Sequence, residues 1–166
     1  SAIPLLFNPR FYYADDTQAG AYPIWVSIGD SIRAGQIPFF EPDRWMAGNL
    51  VAEGQWGTFN PLIWLIGLGA TVVTHGALYS AIVKIVFLAI AAAGIFVLLR
   101  SLGARHGWAL LGGVVGSGSG FTVYIDAASW VTSLFVWALL PWALWGLREV
   151  GVHRRSVLLS FVPGFL

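Results

Sequence analysis

Apolar and polar positions divide this chain near residue 76. Before that point they mix irregularly and are broken by proline and glycine. After it, long apolar runs alternate with short basic connections. The run 77–100 carries one charge, Lys84, and at about 24 residues is long enough for a membrane-crossing helix. Two more spans are expected over 108–125 and 129–147, and a fourth begins at 156 and continues to 166.

The first 76 residues read differently. Between 23 and 34, Ile24, Trp25, Ile28 and Ile32 recur at helical spacing with Ser27, Asp30 and Arg33 on other faces. Pro23 suits a first turn and Gly35 a stop, so the pattern predicts an amphipathic helix, of the kind that lies along a membrane surface. Residues 38–61 show no period and many prolines and glycines, which predicts a loop. Its aromatic side chains, among them Phe39, Trp56 and Phe59, argue for a folded loop. Residues 62–74 are apolar but number about 13, or about 20 Å as helix, too short to span and suited to a re-entrant or interfacial helix. Residues 1–7 read as the outer end of a helix that Pro9 terminates, with the chain expected to be cut from a longer protein.

Composition sharpens this division. Of 166 residues 57% are hydrophobic and 10% charged, where soluble domains carry about a quarter charged. The expected fold class is therefore all-α, a polytopic transmembrane helical protein, with residues 1–76 as a first loop carrying surface helices and 77–166 as the membrane part. The net charge of +1 and the lack of any basic run exclude a nucleic-acid stripe. The absence of cysteine excludes thiolate chemistry. Arg100 and Arg105 fall in one connection and Arg148, Arg154 and Arg155 two spans later, which puts both on one side, the cytoplasmic one. Six of the eight acidic residues lie between Tyr12 and Pro61 and then face outward.

Candidate chemistry gathers at that outward face. Asp15 and Asp16 follow two tyrosines where the loop leaves the membrane. One carboxylate could act as general base towards an acceptor hydroxyl while its neighbour raises its pKa, or the two could share a divalent cation. Consecutive acids are also common on solvated loops. Lys84 lies about 10 Å below the outer surface, where it either snorkels to headgroups or holds the phosphate of a lipid-linked donor, with Asp126 as a partner if their helices adjoin. His75, at the start of the same span, could cap it, bind metal or do neither. Gly112, Gly116 and Gly120 stand four apart, as at a close helix contact. GSGSG over 116–120 has no following Lys and Ser or Thr and lies inside an expected span, which favours helix packing over a phosphate loop.

The chain resembles the GT-C superfamily of polytopic glycosyltransferases, and within it the YfhO-like bacterial membrane proteins. The resemblance rests on Asp15 with Gln18 in D-x-x-Q, on Pro23, and on Gly35 and Pro38 in R-A-G-Q-I-P. It continues through Pro42, Gly48, Asn60-Pro61, Lys84 in a span ending L-L-R at Arg100, Gly103, and Leu140-Pro141-Trp142 ahead of Arg148. It implies a bacterial plasma-membrane enzyme whose first extracytoplasmic loop carries a catalytic aspartate, Asp15 by position and Asp16 second. The donor would be a sugar on polyprenyl phosphate, its phosphate contacted by Lys84. The acceptor would be an envelope glycan or lipid, and Gln18, His75 and Asp126 would line the substrate site. Such enzymes have about eleven or more spans, so this chain would be an amino-terminal part. The other expectation is a non-catalytic membrane subunit whose tryptophans and glycine-rich span bind lipids and protein partners.

Overall fold

The computed structural model describes residues 2–40 and 48–153. Among these the fold is mostly helical, with no strand and one isolated antiparallel bridge, Phe40 to Asn49. Five α-helices follow in order: α1 Tyr22–Arg33, α2 Pro61–Ala70, α3 Gly76–Ser101, α4 His106–Ser117 and α5 Val131–His153. A 3-10 turn at Ile3–Leu6 and two π-helical turns, Thr17–Ala21 and Thr122–Asp126, complete the main elements. The helix expected from 156, with Arg154 and Arg155, and the middle of the loop, with Pro42 and Trp45, lie outside the described residues.

Two helices are long and apolar enough to cross a membrane, Gly76–Ser101 and Val131–Val152. They run in the same direction. Lys84 meets Ala128, Phe87 meets Phe135, and Ile90 and Gly94 both meet Trp142, so residue numbers rise together along the contact. Between them α4 runs the other way: Phe96 packs on His106, whereas Ala92 lies against Gly113. Arg100, Arg105 and Arg148 therefore share one end of the bundle, and residues 12–17 with the 126–130 turn share the other.

The continuous helix expected over 108–125 is interrupted. α4 ends at Ser117, about 18 Å after it begins. The Ser117 hydroxyl turns back to the Gly113 carbonyl (2.9 Å), and the Ser119 side chain accepts from Thr122 N–H (3.3 Å), restarting the helix as a new N-cap would. Gly-Ser-Gly-Ser-Gly has little intrinsic helicity with which to resist this. The glycine contact is also redistributed. Cβ atoms added at Gly112, Gly113 and Gly116 would strike Leu99, Ala92 and Ile95 of α3, while at Gly120 nothing lies within 4 Å.

The described residues before α3 pack on the end of the bundle away from Arg100, Arg105 and Arg148. α1 occupies nearly the range its spacing predicts and ends as Gly35 takes φ +71°. Its apolar face, Ile24, Trp25 and Ile28, is covered by protein rather than left for a membrane surface. α2 lies on one side of it and Phe135 stacks on Trp25 with ring centroids 6.1 Å apart. The Asn60 side chain caps α2 by accepting from Leu62 N–H (2.8 Å), with Pro61 in its first turn. The described parts of the loop before it are folded, as its aromatics predict. Phe39 meets Phe59 edge-on, Leu50 enters the core, and Thr58 ties the Leu50 carbonyl (2.8 Å). One continuous core joins Tyr12, α1, α2 and the upper halves of α3 and α5.

Candidate functional site

At this end of the bundle two cavities adjoin. One, of about 550 Å³, is lined by Asp16, Trp56, Ser129, Trp130 and their neighbours. The other, of about 580 Å³, follows α5 downward past Phe135, Val136, Leu139, Leu140 and Ala143. Gln55, Trp56, Thr132 and Ser133 belong to both, so a chamber bearing Asp16 and Ser129 continues into a more apolar trough.

The aspartates reach the chamber differently. Asp15 has φ +52°, in the left-handed region that side chains other than glycine seldom enter. That conformation turns the chain sharply into the π-helical turn, and Asp15 Oδ2 accepts a hydrogen bond from Ser129 Oγ (3.2 Å). Asp16, one residue on, lines the chamber itself. Both are exposed and sit at the start of a helical run, where the positive end of the helix dipole favours carboxylates. Strained residues and π-helical turns both concentrate at functional sites, and here a strained Asp adjoins one π-turn while Asp126 of the second accepts from Ser133, which lines both cavities.

Lys84 is fully buried and lines neither cavity. Its ammonium donates to the Tyr12 carbonyl (2.9 Å), to Thr17 Oγ1 (2.6 Å) and to the Ala128 carbonyl (3.1 Å). Neither snorkelling nor a hold on a donor phosphate fits an ammonium whose three protons are already taken. Asp126 is not its partner either, since it accepts from Ser133 Oγ at the boundary of the two cavities. Thr17 Oγ1 passes its own proton to the Ala128 and Ser129 carbonyls, both at 3.1 Å, and Ser80 adds a second donor to the Tyr12 carbonyl (2.8 Å). No buried side-chain polar atom among the described residues lacks a partner.

No family model, curated protein or solved structure matches this chain.

The remaining expected residues do not converge on the chamber. Gln18 is exposed on the first π-turn and His75 is exposed at the N-cap of α3, and neither lines either of these two cavities. Among the described residues no three His, Cys, Asp or Glu side chains come together as a metal site, so Asp15 and Asp16 are not joined by a third such side chain. Burial pushes the Tyr12 phenol, just before the aspartates, up to about 12, with Tyr124 adding to the shift. Trp56 reads in the sequence only as an aromatic that folds the loop, and Ser129, Trp130 and Ser133 carry no expected role at the site. The signal available for them was Ser129-Trp130 at the start of α5, a short polar gap that reads as an ordinary helix boundary.

Proposed function

We propose that the chain is part of an integral membrane glycosyltransferase of GT-C type, transferring a sugar from a polyprenyl-phosphate donor to an envelope glycan or lipid on the outer face. The observation that carries this reading is the junction of a carboxylate-bearing chamber with an apolar trough along α5. A lipid-linked sugar needs both, a polar place for the reacting end and a hydrocarbon track for the chain that follows it. Apolar side chains left exposed on α4 and α5, such as Trp108, Val114, Val136 and Leu147, favour a lipid surrounding. The basic end with Arg100, Arg105 and Arg148 is then cytoplasmic.

In the transfer, the acceptor oxygen bonds to the anomeric carbon while the bond from that carbon to the donor phosphate oxygen breaks. The acceptor's proton passes to an aspartate. Asp16 lies on the chamber wall and Asp15 reaches the wall through Ser129, so Asp16 is the better placed base and Asp15 its support. Trp56 and Trp130 supply flat apolar faces beside polar groups, a surface suited to a sugar ring.

The test is transfer of labelled sugar from a polyprenyl-phosphate donor by membranes containing the full-length protein. We expect Asp16→Asn, at equal expression, to lower the rate about 100-fold or more, as loss of a general base does, and Asp15→Asn to lower it less. Undiminished transfer in both variants would remove the aspartates from the mechanism. A wild type inactive across a panel of donors would favour a non-catalytic membrane subunit.

A further inference from the structure

The geometry points to Lys84 as the positioning residue that clamps the Asp15–Asp16 turn against Ser129 from outside the chamber. Its three acceptors are not scattered. Tyr12 and Thr17 bracket the two aspartates in sequence, and Ala128 directly precedes the serine that bonds Asp15. One ammonium thus ties both chain segments that meet at the chamber's wall, and Thr17 doubles the tie by donating to the carbonyls of Ala128 and Ser129.

The arrangement also accounts for the Asp15 backbone. A left-handed Asp is strained and persists only where its surroundings over-determine it. Residues 12 and 17 are held on a single cation within five positions, and a chain of that length with both ends fixed has few ways to turn. A buried ammonium left without these acceptors would be strongly unfavourable, so the clamp and the cation stabilise one another. Hydrophobic packing alone would hold Tyr12 in the core but would not select this turn. The clamp matters for transfer only if the reading proposed above is right, while its geometry does not depend on that reading.

The experiment uses the absence of cysteine in this chain. Cysteines are introduced as the pair Asp15→Cys/Ser129→Cys in the full-length protein, cleared of any other cysteine, and oxidative cross-linking is measured in native membranes. A second pair, Gly94→Cys/Trp142→Cys, reports α3–α5 packing ten residues further along α3. Adding Lys84→Met should lower the 15–129 cross-linking rate at least fivefold and leave the 94–142 rate unchanged. Thr17→Val, which keeps the side-chain shape and removes the hydroxyl, should lower the 15–129 rate in the same selective way and decides the matter if Lys84→Met does not accumulate. An unchanged 15–129 rate in Lys84→Met or in Thr17→Val, or parallel loss at both pairs in either variant, would overturn the assignment. Because cross-linking is read without any donor sugar, a failure of the glycosyltransferase reading leaves this result standing, and the converse also holds.

Discussion

Gly29→Ala would place a methyl group where α1 and α2 touch. The added Cβ would lie 2.3 Å from the Gly67 carbonyl oxygen, 2.5 Å from its carbon and 2.7 Å from Thr71 Cγ2. The two nearest are backbone atoms of a helix, so no rotamer change relieves them. Ordinary contact begins at 3.4 Å, and α1 must therefore back away by about 1.1 Å, the difference between 3.4 and 2.3 Å. Overpacking of this kind costs about 1–3 kcal/mol, and a clash between two backbones belongs at the upper end. Helix propensity works in the opposite direction, since alanine is favoured over glycine by about 1 kcal/mol. The net loss is then about 2 kcal/mol, or roughly 4–8 °C in the unfolding midpoint of a chain this size. The assay is thermal unfolding of the purified full-length protein in detergent, followed by tryptophan fluorescence, to which Trp25 on α1 contributes directly. Gly67→Ala should act in the same direction, its Cβ meeting the Trp25 carbonyl oxygen at 2.7 Å, and the double variant should lose less than the sum because the helices part only once. Gly107→Ala, with nothing within 4 Å, is the control and should show no loss. Midpoints for Gly29→Ala and Gly67→Ala equal to the control's would refute the close crossing.

Two further outcomes are expected from the packing and titration of this end of the molecule. Phe135→Ala removes a buried ring that lies 4.2 Å from Phe87 and 6.1 Å from Trp25, centroid to centroid, and should destabilise by about 3–5 kcal/mol in the same unfolding assay. The Tyr12 phenol stands above its ordinary value of 10.0 in the folded protein, so its ionisation opposes folding. Its contribution is intact below pH 10 and is lost as pH rises towards about 12. Tyr12→Phe should flatten that alkaline decline in stability, and an unaltered decline would assign it to other groups.

How much of this was legible in the sequence depended on the range of the interaction that decides each feature. α1 and α3 were readable to within a residue or two, because apolar spacing, run length, Pro23 and Gly35 are local properties that act before any packing occurs. The shortness of α2 was equally plain from its length. The end of α4 was not, although its cause is written in the chain. Serines at 117 and 119 can bond to backbone in or out of a helix, and an apolar run of the right length masked that choice. The charge pattern identified the arginine-bearing end, since a helical hairpin of known lengths leaves little freedom in where connections fall.

Lys84 marks the boundary between the two kinds of knowledge. From the sequence it is an isolated cation inside an apolar run, which establishes that it must find partners but not which ones. Backbone carbonyls make no sequence signal, and two of its three partners are backbone carbonyls from segments 72 and 44 positions away. For the same reason the residues alone singled out Asp15 and Asp16 as a pair, and only the resemblance ranked Asp15 first, whereas Asp16 is the one that lines the chamber. Apolar periodicity and turn residues thus determined which stretches become helices and which face polar surroundings. Only the tertiary structure decided that one aspartate lines the chamber while the other is turned to a serine 114 residues away, because that division arises from long-range hydrogen bonds no local pattern encodes.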